Sequence, residues 1–572
     1  MKNVIELNKC WSFSADITED GKKVADSVVN LPFFHSFATM PSGTFRADWT
    51  ALEEHHGKTV YLHLSQISGD AEILVNGETA GTHTSGDCAF SRQIVLDAEM
   101  GKTYDIEIHV TPRSRKDGLF AMGGVSLIIV DSSHFNKTDF GCGVTVIPKN
   151  KSTGAEISVK TAIIRPNNYD IVSYTVYGMK GEVIASKTCK PTAPDTVIPL
   201  PRHELWDGQS GAYTYTLEAK LLRDSSCLDE VTTVFGIKET ELGADGFLYL
   251  NGFKLPLSGV VLTDCSQVKT DMESLKKLDG NLLLSPILPT KTNLLSVCDK
   301  EGMLFWYCLP CSGNTEADKE HLKEFIALYR NHPSLTAVVI AKEGGNTYFD
   351  EMADCLSSLA PTVIPVAERN IDTEEDTLPE KAKAVLLRIP CWSAPESFIT
   401  FNGRFSYLQE KYPDKCFAVL PESPDKADKT PEELGEWHIR MWNTFCRQKI
   451  VAFVGGLLTD GKEVNSKRGL MSSNRQQLYD IFWYYKSQFS VKSFIKICEL
   501  DNYETFDKYI DIKCITNSHS IKLLLNGRDK KYKPEKITDG VYIFRQLKLK
   551  RDVNLIEVSA DNECDSVEII RI

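Results

Sequence analysis

Between residues 259 and 456, eight short apolar runs follow one another. They read GVVL from 259, NLLLSP from 281, MLFWYCLP from 303 and LTAVVIA from 335, then TVIPVAE from 362, AVLLRIP from 384, CFAVLPE from 416 and IVAFVGG from 450. Such runs suit strands of a parallel sheet, which helices cover on a face, so no polar alternation survives. Several gaps between them carry helical patterns, among them DMESLKKLD, EHLKEFIALYR and DEMADCLSSLA. Eight successive β–α units predict a (β/α)8 TIM-like barrel over residues 243–490. In that fold functional groups stand where strands end and loops begin. Glu343, just past LTAVVIA, and Glu422, closing CFAVLPE, are therefore candidate acid–base or nucleophilic groups, a carboxylate pair suited to glycoside cleavage. Lys342 precedes Glu343 directly, and a cation that close favours the carboxylate and opposes general-acid work.

The flanks have a different texture. Residues 1–153 alternate with period two around Asn76-Gly77, a strong hairpin signal. They predict an N-terminal jelly-roll or β-sandwich. Residues 154–242 alternate again (AEISVKTAII, AYTYTLEAKLL) at the size of an immunoglobulin-like sandwich. Residues 491–572, with SIKLLLNGRD and NLIEVSAD, predict a C-terminal β-sandwich.

The formal net charge of −13 argues against nucleic acid or an anionic membrane surface as partner. No apolar run approaches the roughly 18–20 residues of a membrane helix, and MKNVIELNKCWSFSADI has no signal-like apolar core. The 16 cysteines, irregularly spaced, read as reduced thiols of a cytoplasmic protein. Cys308 and Cys311 form a Cys-x-x-Cys, but no second pair completes a metal site, and they read as structural thiols. No phosphate loop, nucleophile elbow or zincin helix occurs, so no metal or cofactor is implied.

The order sandwich, sandwich, barrel, sandwich resembles glycoside hydrolase family 2, the β-galactosidase and β-glucuronidase family. AEILVNGETAGTHTSG resembles its sugar-binding-domain segment. VTTVFGIKE resembles the end of its second domain, and GFLYLNGFKLPLSGV its entry into the barrel. YRNHPSLTAVVIAKE resembles the signature in which Asn-His-Pro-Ser precedes a strand ending in Asn-Glu. EKYPDKCFAVLPESPD resembles the stretch ending in Thr/Ser-Glu-Tyr-Gly. The resemblance implies Glu343 as acid/base and Glu422 as nucleophile of a retaining hydrolase acting on a terminal β-linked sugar, with carboxyls ~5–5.5 Å apart. It also implies a carbohydrate partner, and family members often assemble as oligomers.

The surroundings depart from that pattern. Lys342 stands for the family's Asn, Val338 for a strand Trp, and Leu284 and Ile287 for an Arg and a His. Thr263 stands for a His, Tyr307-Cys308 for an acidic pair, Ser423-Pro424 for Tyr-Gly, and Gly455 for the strand-eight Trp. Lys342, Asn402 and Tyr407 are candidate substrate contacts. So are Asn465 and Lys467, in EVNSKRG, which are similar to an Asn-x-Lys pair that reads a uronate carboxylate in some β-glucuronidases. Two expectations stand side by side. One is a retaining β-glycosidase of altered specificity, the other a non-catalytic carbohydrate-binding or scaffold descendant.

Overall fold

The structure is a computed structural model that describes residues 3–15, 24–36, 42–67, 69–84, 89–112, 119–138, 143–151, 154–192, 195–287, 293–373, 377–390, 397–422, 431–460, 469–498 and 503–572. A four-stranded and a six-stranded antiparallel sheet form the N-terminal sandwich, and its core gathers Trp11, Phe45, Ile73 and Leu127. The strand Gly69–Val75 alternates buried and half-buried positions without a break, as one wet face requires. Its hairpin to Glu78–His83 turns on Asn76 and Gly77, both with positive φ, the backbone that a two-residue turn needs.

The boundary expected at 153/154 is corrected. Val144–Lys151 pairs with Gly154–Thr161, and His134–Phe135 pairs with Ile163–Ile164. Phe135, Val144 and Val146 belong to the second sandwich's core. The KSTG stretch at this point joins two partnered strands, and a turn composition reads the same in a hairpin as in a linker.

The barrel closes through eight parallel strands, β1 Leu257–Val261, β2 Leu282–Ser285, β3 Leu304–Leu309, β4 Leu335–Ile340, β5 Ile364–Asn370, β6 Ala384–Ile389, β7 Cys416–Pro421 and β8 Ala452–Leu457. Parity divides their side chains. Leu284, Trp306, Val339, Val366, Leu386, Leu420 and Val454 share the inner core, whereas Leu283, Phe305, Val338, Leu387 and Phe453 pack against the helices. Leu248, Leu250 and Trp206 join the inner core and close the barrel floor. Among the described residues seven helices surround the strands: α1 Val268–Lys277, α2 Leu294–Glu301, α3 Thr315–Tyr329, α4 Gly345–Leu359, α5 Ser397–Lys411, α6 Pro431–Phe445 and α7 Asp480–Phe489. Eight complete β–α units were expected. Among the described residues none forms a helix between β5 and β6, because the short segment 371–383 leaves little room for a typical helix of about 11 residues plus its loops. Two four-stranded sheets make the C-terminal sandwich. No helix among the described residues is long and apolar enough to cross a membrane.

Candidate active site at the barrel mouth

The signature stretch works at the floor of the barrel before it reaches the mouth. Asn331 accepts the Val146 N–H at 3.0 Å and donates to Thr233 Oγ1 at 3.0 Å, tying the barrel to the second sandwich. His332 Nδ1 lies 2.6 Å from Asp299 Oδ2, and Ser334 donates its N–H and hydroxyl to Asp299 Oδ1 at 3.0 and 2.6 Å. These bonds set where β4 begins, and therefore where it ends.

β4 stops at Ile340. Lys342–Gly344 form a single 3-10 turn, and α4 starts at Gly345. Gly345 has φ +74°, a conformation an L side chain resists, and a Cβ on Gly344 would strike the Tyr348 ring. The two glycines thus permit the abrupt change from strand to helix. Lys342 and Glu343 lie in this turn and not on the strand, so the two-residue alternation of a strand does not apply to them. Glu343 is exposed at the C-terminal end of β4, with no hydrogen bond or ion pair to another described residue.

Glu422 directly follows β7, its N–H donating to the Ile389 carbonyl at 2.9 Å. It sits two residues beyond inward-facing Leu420, so parity directs it into the mouth. Two further charged groups obey the same rule: Glu368 lies two beyond Val366 on β5, and Arg388 two beyond Leu386 on β6. Arg388 Nε is 2.7 Å from Glu368 Oε1, and its Nη1 is 3.7 Å from Glu422 Oε1. One guanidinium fork therefore addresses both carboxylates, with Glu422 still 30% exposed. Cys308, two beyond Trp306 on β3, borders this cluster. Burial first, and the Glu368 charge second, push its thiol up to about 12 against the opposing Arg388 charge, so the thiol is neutral and not a nucleophile near neutral pH.

Glu368 and Arg388 were missed in the sequence, although a signal was present. Each interrupts an apolar run at the parity of the inner core. Other expectations are corrected. Val338 packs in the outer layer, and a Cβ on Gly455 would meet the Tyr485 ring at 3.0 Å, so neither position faces the mouth. Leu284 fills the inner core, Ile287 packs against the helix layer, and Tyr307 points outward to His321 at 2.7 Å. Asn402 and Tyr407 lie on the exposed side of α5, outside the barrel. Asn402 accepts from Gln448 at 2.7 Å, and Tyr407 lies under Arg404 and Lys411. An outer helix cannot present these side chains to the mouth.

Asn465, Lys467, Ser423 and Pro424 lie outside the described residues, as does the side chain of Lys342. The segment after them is anchored firmly. Asp460 accepts the Gly469 N–H at 2.8 Å, and Arg475, 4% exposed, reaches Asp271 at 3.0 Å and Asp264 at 3.3 Å. This buried cluster ties the chain after β8 to the β1–α1 connection.

No family profile matches the chain. It is 26% identical over 387 residues to a β-galactosidase of Thermoanaerobacter pseudethanolicus, covering 58% of this chain and 51% of that protein. It is 22% identical over 588 residues to a β-glucuronidase of Bacteroides fragilis, covering 88% and 83%. Against some of these curated relatives it spans only about half of their length. An FMN-binding β-glucuronidase of Facaelibacterium prausnitzii has the same fold, with a TM-score of 0.84 at 20% identity over 100% of this chain and 98% of that one. In sequence the chain is similar to β-galactosidases and β-glucuronidases, and it shares the fold of solved β-glucuronidases.

Proposed function

We propose that the protein is a retaining β-glycosidase with altered specificity, acting on a terminal β-linked sugar of the β-galactoside or β-glucuronide class. Glu422 attacks the anomeric carbon, and Glu343 protonates the leaving oxygen and then deprotonates water. The observation that carries this reading is the placement of Glu422, which stands at the β7 end, inward by parity, 3.7 Å from the Arg388 guanidinium. Arg388 supplies a fixed positive group at the mouth, where Leu284 offers none, and preorganised charge of this kind commonly provides the largest share of rate enhancement. Lys342 would supply a donor next to the acid/base in sequence, and Asn465 and Lys467 are the residues that would meet a uronate carboxylate.

A second reading, carbohydrate binding without turnover, is favoured by one observation. Glu343 has no described partner to orient it, and an acid/base works within hydrogen-bond reach of the proton it moves. A panel of p-nitrophenyl β-D-glycosides decides between them. Turnover that Glu422→Gln and Glu343→Gln each abolish supports the hydrolase. Saturable sugar binding with no turnover supports the second reading.

A further inference from the structure

At the floor of the barrel, away from the ends of β4 and β7, a cavity of about 300 Å³ opens between the second sandwich and the starts of β4 and β5. Pro148, Pro333 and Leu359 supply apolar wall, Lys149 and Arg330 supply positive charge, and Lys238 adds an amine that can take up a proton. His332 also borders it, paired with Asp299. Glu239 is the one carboxylate among the described lining residues, and it is exposed. Lys238 reaches the cavity because it follows Phe235 and Ile237, which are fixed in the second sandwich's core. Its Nζ donates one hydrogen bond, to the Leu335 carbonyl at 3.2 Å, and lies 5.6 Å from the Trp206 ring centroid. An ammonium offers three donors. Burial lowers its pKa to about 7 against the opposing charge of Asp299, as expected for a cation withdrawn from water without an adjacent counter-ion.

We propose that this cavity is a second ligand site, which takes a small organic carboxylate with an apolar body, the carboxylate pairing with Lys238 and Arg330 and the body lying against the prolines and Leu359. A pocket of this size sits at the lower end of the usual range for small-molecule sites, about 300–1,000 Å³, which suits a ligand of one ring. A six-residue strand spans ~20 Å, so the site is separate from the barrel mouth and does not depend on the proposed hydrolysis.

The full chain is titrated calorimetrically with 4-bromobenzoate at about pH 8, in two buffers of different ionisation enthalpy, with 4-bromobenzamide as the uncharged control. Soaked crystals locate the bromine. The expected result is saturable binding, weaker by about ten-fold or more for the amide, with most of one proton taken up as Lys238 becomes charged. The expected bromine position is inside this cavity. Lys238→Arg keeps the binding and abolishes the proton uptake, because a guanidinium is always charged. Lys238→Met weakens binding, and if that variant does not fold, the parent and Lys238→Arg decide alone. Absence of saturable binding, equal affinity for the amide, bromine elsewhere, or undiminished proton uptake in Lys238→Arg overturns the proposal.

Discussion

Replacing Asp299 with Ala removes the acceptor that holds the start of β4. The carboxylate is only 2% exposed and receives the Ser334 N–H at 3.0 Å, the Ser334 hydroxyl at 2.6 Å and His332 Nδ1 at 2.6 Å. Ser334 is fully buried, so water cannot replace the lost acceptor. Its hydroxyl keeps a long bond to the Leu295 carbonyl at 3.4 Å, whereas its N–H keeps none, and His332 is exposed enough to find water. A stranded buried donor costs roughly 1–3 kcal/mol, and a lost bond to a charged group roughly 1.5–3 kcal/mol. Together these give about 2.5–6 kcal/mol for Asp299→Ala. At about 2–4 °C per kcal/mol for a unit of barrel size, the barrel's melting transition drops by ~5–24 °C. Asp299→Asn keeps one acceptor oxygen for Ser334 and should cost about half as much. Scanning calorimetry of the full chain checks both values. A melting point for Asp299→Ala within ~2 °C of the parent, or a larger loss for Asn than for Ala, refutes the reasoning.

Asn331→Ala should loosen the seam between barrel and second sandwich by about 2 kcal/mol, seen as faster amide exchange over 144–151; unchanged exchange there contradicts the clamp. Arg388→Met should lower turnover of a responsive β-glycoside by ~10²–10³-fold, and an effect under about three-fold would remove Arg388 from the site. Burial holds the His438 imidazole down to about 3 in the folded protein, against ~6.5 in the unfolded chain. Only the unfolded state gains that proton as the pH falls from ~6.5, so this contribution, complete above ~6.5, is lost toward pH ~3 at up to about 1.4 kcal/mol per pH unit. His438→Gln should therefore flatten the acid limb of stability by about one proton between pH ~6 and ~4, read from urea midpoints across pH.

The barrel strands were legible because a strand buried on both faces leaves an uninterrupted apolar run, and all eight runs became strands. What lies between them was less legible. The β5–β6 segment carries no helix among the described residues, and the boundary expected at 153/154 falls between two strands that pair with each other, because turn-forming composition does not record what it connects. At the site, strand ends pointed to Glu343 and Glu422, but matching residues to a motif by position ignores parity. That is why Val338 and Gly455 were taken for vacated mouth positions while they face the helices. Parity applied inside the runs would have found Glu368 and Arg388. It could not have revealed that Arg388 faces two carboxylates at once, since that requires β5, β6 and β7 to lie side by side. Asn402 and Tyr407 failed for a related reason, because sequence proximity to β7 does not distinguish a loop at the mouth from the outer face of α5.

The central claim is that Glu422 is a nucleophile. Its most direct test is covalent capture: the full chain is incubated with cyclophellitol-type aziridines of glucuronate and galactose configuration, digested and mapped by mass spectrometry. The account predicts a single glycosyl-type adduct on Glu422 with one of the two probes, absent from Glu422→Gln. An adduct on another residue, or none with either probe while the protein still binds the corresponding sugars, contradicts it.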